Sequence, residues 1–164
     1  MSAPANLEEC YIHELKDLIS ANDQMRRTIK KIGKKAKHGE LKAHIDTSVT
    51  KIEEHTSTLK ELLKEMGEKG KEHCKGMEGL CTEAEKHCIE EAPEKSEVRD
   101  VVIVAQFQRM SHYGICGFGT AAAYAEAVGK AKHAKAIDKI TKDIYGSDEA
   151  MTKLAESCVN AAAA

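Results

Sequence analysis

The segment Glu97–Thr120, EVRDVVIVAQFQRMSHYGICGFGT, decides how this chain is read. Wound as a helix, it lines up Val98, Val101, Ala105, Gln108, His112, Ile115, Gly119 and Ala122 at steps of three and four. Such a stripe is expected to face a core. Two polar residues, Gln108 and His112, stand in its middle. A buried polar group left unpaired costs about 1–3 kcal/mol. Whatever satisfies these two side chains therefore governs what the interior can do.

The same spacing recurs on either side. A first helix is predicted from about Leu7 to Ile32, with Leu7, Tyr11, Leu15, Leu18, Asn22, Met25, Ile29 and Ile32 as its stripe. A second runs from about Glu40 to Met66 on Leu41, Ile45, Ser48, Ile52, His55, Leu59, Leu62 and Met66. The last runs from about Ala131 to Val159 on Ile137, Ile140, Ile144, Asp148, Met151, Ala155 and Cys158. Gly67–Gly70 and Gly129 punctuate these segments. A shorter helix, about Met77 to Glu91, fills the stretch between the second and third long helices. Pro93 stops it, and Ser96 is the expected N-cap of the helix that follows. Four long helices with one long crossover predict an all-α fold, a ferritin-like four-helix bundle with an additional short helix in the crossover. It is read as a single domain over residues 1–164, with frayed ends at about 1–6 and 160–164.

Composition agrees. Charged residues make up 32% of the 164, apolar ones 41%, and proline occurs twice, which suits helices and not sheets. The formal net charge is −2, with lysines interleaved among acids, so no basic footprint for nucleic acid exists. Tryptophan is absent and aromatics are 4%, which removes base-stacking platforms. No apolar run reaches membrane-spanning length, and Met1–Glu9 lacks the order of a signal peptide. A cytoplasmic protein is expected, with its six cysteines as reduced thiols.

Each long stripe is least apolar near its centre: Asn22 and His55 on the first two helices, Gln108, Ser111 and His112 on the third, Asp148 on the fourth. Polar layers inside bundles are where metal sites are built. A di-iron or di-manganese pair demands about four carboxylates as well as imidazoles. Here the layer offers imidazoles and almost no acid, and Ile52 precedes His55 where a Glu-x-x-His pair would need glutamate.

Met77-Glu78-Gly79-Leu80, Glu97-Val98-Arg99-Asp100 and His112-Tyr113-Gly114-Ile115, followed by Gly119-Thr120, resemble the YciE/YciF family of bacterial stress-associated ferritin-like proteins. The likeness runs from about Tyr11 to Ala155. It implies a ferritin-like bundle, a homodimer and a carboxylate-bridged di-metal centre. It also exposes departures. Asn22 stands where the family carries a glutamate, and Thr50-Lys51 stand for a glutamate pair, while His55 matches the family histidine. Ser111-His112-Tyr113-Gly114 replaces Glu-His-Tyr-Glu, and Lys142-Asp143-Ile144 replaces an acidic run.

The reading is thus a non-catalytic, stress-associated homodimer with a degenerate di-metal site. It has no expected cofactor, no membrane or nucleic-acid partner, and no identifiable substrate. The alternative is a single Fe, Mn or Zn ion held by His55 and His112, with Asp148 or water completing the set. Otherwise both histidines are satisfied core imidazoles. Cys81 and Cys88 read as small hydrophobes, and Cys74, seven residues before Cys81, falls on their face. Gly114, Gly117 and Gly119 suggest a close helix approach or a dimer contact. Tyr11 and Tyr113 read as core aromatics with wet hydroxyls.

Overall fold

The computed structural model describes residues 3–164; residues 1–2 of the expected frayed start lie outside them. The fold is carried by α1 (Leu7–Gly33), α2 (Gly39–Glu65), α3 (Lys75–Glu85), α4 (Ser96–Ala127) and α5 (Ala131–Leu154). Wider π-type turns extend α3 over Lys86–Glu90 and α5 over Ala155–Val159, and α6 (Asn160–Ala163) continues that last rod. Ala161–Ala163 are helical, as the strong helix propensity of alanine favours.

Asn6 caps α1 by accepting from the Glu9 amide at 2.9 Å, and the Glu9 carboxylate accepts in return from the Ala5 amide at 2.8 Å. Ser96 does not cap α4 as expected. It is the first helical residue, its hydroxyl donates to Glu97 Oε2 at 3.1 Å, and Lys95 holds the cap position.

Pairs of touching residues give the topology. Asp17 meets Tyr113 while Lys37 and His38, just past the end of α1, meet Asp100, so α1 runs against α4; Tyr11, near the start of α1, meets His133, near the start of α5. His44 meets Ser147 while Glu65 meets His133, so α2 runs against α5. His44 packs on Phe107 and His55 on Phe118, so α2 and α4 run the same way. Joining two helices that point in one direction requires a long crossover, which is the ferritin-like connectivity. The crossover helix α3 lies over α1 and α4. Gln24 Nε2 donates to the Cys74 carbonyl at 3.0 Å, and Cys81 Sγ lies 3.9 Å from Met110 Sδ.

The apolar interior falls into two clusters. One is built on Tyr11, Leu15, Leu18, Leu59, Phe118 and Ile137, the other on Ile29, Ile45, Ile103, Phe107, Met110 and Met151. Each large side chain buried in them contributes about 1.5–3 kcal/mol. Between them lies a waist with buried Asn22, Ser48, His55 and Ser111.

The predicted face of α4 holds at Ile115 and Ala122, which are buried, but is off by roughly one residue along the first half of the helix. Asp100, Ile103, Phe107, Ser111, Gly114, Phe118 and Ala121 point inward, whereas Val98, Val101, Ala105 and Gln108 are half-buried and His112 is exposed. This helix is apolar around most of its circumference, so its period admits more than one phase. Gly117 belongs to the true face. A Cβ there would lie 2.7 Å from Leu18 Cδ2 and 3.1 Å from Glu14 Oε1, so it serves the approach of α1 and not a contact between subunits.

The Tyr11 hydroxyl is not wet. Tyr11 is fully buried, with its hydroxyl 3.0 Å from His133 Nδ1, while His133 Nε2 lies 3.0 Å from Glu65 Oε2. A carboxylate only accepts, so Nε2 carries the proton and Nδ1 accepts from Tyr11. Burial, assisted by the Glu65 charge, pushes the Tyr11 pKa far above its ordinary value. Tyr113 donates to Asp17 Oδ2 at 2.9 Å and lies 2.9 Å from Cys74 Sγ.

Candidate functional site

A cavity of about 260 Å³ occupies the waist. α1 supplies Leu18, Ala21, Asn22 and Met25, α2 supplies His44, Ser48, Ile52 and His55, and α4 supplies Phe107, Ser111 and Gly114. α5 adds Asp143, Ile144 and Ser147, and Met77 closes the floor from α3. Thr47, Lys51 and Asp143 stand at the exposed rim between α2 and α5.

Most polar groups on the wall are already engaged. Ser48 and Ser111 donate to their own helices, at the His44 and Phe107 carbonyls, 2.9 and 3.0 Å away. His44 Nε2 lies 3.0 Å from Ser147 Oγ. Two groups are not engaged. Asn22, 7% exposed, has no partner for its Nδ2, and His55, also 7% exposed, has none for its Nε2. Asp143 Oδ2 is 3.6 Å from that nitrogen, beyond hydrogen-bond reach.

Burial lowers the pKa of His55, opposed by Asp143, and burial lowers that of His44, opposed by its bond with Ser147. Both rings are thus held neutral in the fold. The unfolded chain takes up their protons first, so stability is full above the ordinary imidazole value of about 6.5 and falls below it. The thermal midpoint is expected to drop between about pH 7 and pH 5, and His44→Leu combined with His55→Leu should flatten that slope. An unchanged slope in a melting series would show that other groups set it.

The other predicted site residues lie elsewhere. Gln108 Nε2 donates to Asp148 Oδ1 at 3.2 Å and to Thr152 Oγ1 at 2.8 Å. His112 Nε2 meets Asp148 Oδ2 at 3.0 Å, with its side chain 63% exposed. The expected polar layer therefore splits. Asn22, His55 and Ser111 face the cavity, while Gln108, His112 and Asp148 form a network on the outer α4–α5 seam. The structure does not bring His55 and His112 together, because neighbours Ser111 and His112 point about 100° apart around α4. His44, Asp143 and Ser147 were not foreseen. His44 stands one turn from Ser48 and three turns from His55, a spacing that could have placed it on the wall.

Among the described residues the cysteines are free. Burial raises the thiol pKa of Cys81 and takes that of Cys88 to about 11, which leaves both inert as nucleophiles. Cys74 is buried in the same core cluster as Cys81 and Cys88. It caps α3, where its sulfur accepts from the Met77 amide at 3.4 Å.

The family model described as "Domain of unknown function (DUF892)" matches residues 6–164. The chain belongs to the DUF892 family. Protein YciF of Escherichia coli (strain K12) is 34% identical over 164 residues, spanning 94% of this chain and 93% of that protein. The crystal structure of the E. coli stress protein YciF superposes with a TM-score of 0.89 at 31% identity, covering 96% of this chain and 99% of that one. YcfI of Rhodopseudomonas palustris superposes at 0.85 with 23% identity, over 90% and 93% of the two chains, a likeness of fold. The resemblance drawn from the three sequence segments holds, and so does the helical bundle.

In this DUF892 chain most of the departures converge on one place, while Thr50 and Lys142 are exposed and lie outside it. Asn22, Lys51, Ser111, Gly114 and Ile144, positions where the resemblance implies acids, all line the cavity beside His55. The carboxylate on that wall is Asp143, and it is exposed at the rim. Two divalent ions need about four charges to neutralise and bridge them. Among the described residues no three His, Cys, Asp or Glu side chains gather as metal ligands. The residues present do not fit a carboxylate-bridged pair.

Proposed function

We propose that this protein is a non-catalytic, stress-associated member of its family, a cytoplasmic homodimer whose waist has exchanged metal chemistry for a neutral cavity. One observation carries the reading. At five cavity-facing positions where the resemblance implies acids, the side chains are an amide, an ammonium, a hydroxyl, a hydrogen and an alkyl group: Asn22, Lys51, Ser111, Gly114 and Ile144. None of these can bridge two cations. Stress association rests on the likeness to the E. coli stress protein YciF. Among the described residues no helix is long and apolar enough to cross a membrane, which agrees with the cytoplasmic part of the reading.

Metal analysis of protein purified from iron-supplemented cells tests it. We expect less than about one-tenth equivalent of Fe, Mn or Zn per chain, and no oxo-bridged absorption band. Two irons per chain would refute the reading. One equivalent, lost in His55→Leu, would favour a mononuclear site at His55, whose Nε2 lacks a hydrogen-bond partner.

A further inference from the structure

The waist cavity has the marks of a ligand site that no metal explains. Its wall is mostly apolar, formed by Leu18, Met25, Ile52, Met77, Phe107 and Ile144. Small-molecule sites are concave, largely apolar, and carry a few convergent polar groups. Here those groups are the Asn22 amide and the His55 imidazole, each more than nine-tenths buried and each with a nitrogen lacking a partner. An unsatisfied polar atom in such a place needs an occupant that supplies the missing bond.

We propose that this cavity binds a compact, neutral, hydroxyl-bearing aromatic molecule of about ten non-hydrogen atoms. The size follows from volume. An apolar cavity of about 150 Å³ holds benzene, or roughly 25 Å³ per ring atom, and the waist offers about 260 Å³. Neutrality follows from the wall. A charge placed there would have no buried counter-ion, and the rim charges of Lys51 and Asp143 oppose one another. The hydroxyl follows from the orphaned nitrogens. Asn22 Nδ2 can only donate, and a hydroxyl oxygen accepts from it. His55 Nε2 takes the hydroxyl proton in one tautomer and donates to the same oxygen in the other, so a hydroxyl suits both. The ring follows from the aromatic wall, where the His44 imidazole already meets Phe107 edge-on at 5.6 Å and 78°. Entry is between α2 and α5, where Thr47, Lys51 and Asp143 are exposed.

This inference rests on the reading that the waist holds no metal, so metal content is measured first on the same sample. The full-length protein is then titrated with para-propylphenol, propylbenzene and para-propylbenzoate while backbone amide shifts are followed by NMR. We expect saturable shifts centred on Asn22, His55 and Ser111. The phenol should bind about tenfold more tightly than propylbenzene, and the benzoate more weakly than either. Asn22→Leu should shrink the phenol preference to less than about threefold. Ser111→Leu or Gly114→Leu should fill the space and weaken binding at least tenfold; a Cβ at Gly114 meets Ile144 Cδ1 at an ordinary 3.6 Å, so that variant is expected to fold. Metal-free protein that shows no saturable shift, or shifts on another face, overturns the ligand site and leaves the metal-free reading of the waist standing. Equal affinity for phenol and propylbenzene, or undiminished affinity in a folded, filled variant, also overturns it. Stoichiometric metal in the starting sample overturns the reading beneath it.

Discussion

Exchanging Asp100 for alanine is expected to cost about 3–5 kcal/mol of folding stability. Asp100 is 3% exposed on the inward face of α4. Its two oxygens accept from the Lys37 and His38 amides at 2.8 and 2.7 Å. Those amides belong to the turn between α1 and α2, and His38 is the cap residue of α2. The first amides of a helix have no partner within it, and the positive end of the helix dipole favours a carboxylate there. Each bond to a charged acceptor is worth about 1.5–3 kcal/mol, and alanine strands both donors. Asparagine keeps the shape but turns an N–H₂ toward one of the two N–H groups, so Asp100→Asn should lose about 2–3 kcal/mol. Urea unfolding measures this as a lower midpoint at unchanged slope. A loss below about 1 kcal/mol for alanine would mean that water replaces the carboxylate freely.

The same residue shows what a short motif can encode. Glu97-Val98-Arg99-Asp100 reads in sequence as a helix start. In the fold, Arg99 Nη2 donates to the Pro93 carbonyl at 2.9 Å, and Asp100 holds the opposite turn. Two adjacent residues thus fix the end of the crossover and the α1–α2 corner. Nothing in the sequence says which amides a buried aspartate will find sixty residues away.

Stripes with a polar opposite face were legible. Tyr11, Leu15, Leu18, Met25, Ile29 and Ile32 are all buried on α1, as are Leu41, Ile45, Ile52 and Leu59 on α2. There burial separates apolar from charged residues, and the period has one phase. On α4 it does not, since Val98, Val101 and Val102 are as apolar as Ile103 and Val104. The mistaken phase is what turned His112 and Gln108 inward, while Ser111, read into the same polar layer, does face the cavity. The chain from buried Tyr11 and His133 to exposed Glu65 was beyond reach for another reason. His133 sits in a lysine-rich helix start, and its partners are 122 and 68 residues away. Sequence period locates a face but not the partner across the core. Asn22 and His55, read from well-phased stripes, do face the cavity.

If the waist has lost a metal centre by substitution, reversing the substitutions should restore it. Asn22→Glu, Ser111→Glu, Gly114→Glu and Ile144→Glu place carboxylates on α1, α4 and α5 around His55 of α2, all on one cavity wall. Four carboxylates with an imidazole approach the composition that holds two divalent ions in a bundle. Space is available, because Ile144 Cδ1, 3.6 Å from a Cβ at Gly114, is removed in the same variant. Without metal the variant should be strongly destabilised, since like charges buried together resist ionisation and drive each carboxyl pKa upward. With Mn(II) at about a thousand times its dissociation constant, each bound ion should return about 4 kcal/mol, seen as a rise in thermal midpoint that the parent protein does not show. Two bound ions per variant chain are expected. Single and double reversals should gain little, because one or two added charges cannot neutralise a cation pair. A folded quadruple variant that ignores Mn(II) would mean that these positions are not where the ligands were lost. A parent chain that binds two ions unaided would mean that Asp143 and the two waist histidines already suffice, and the neutral cavity would have to be abandoned.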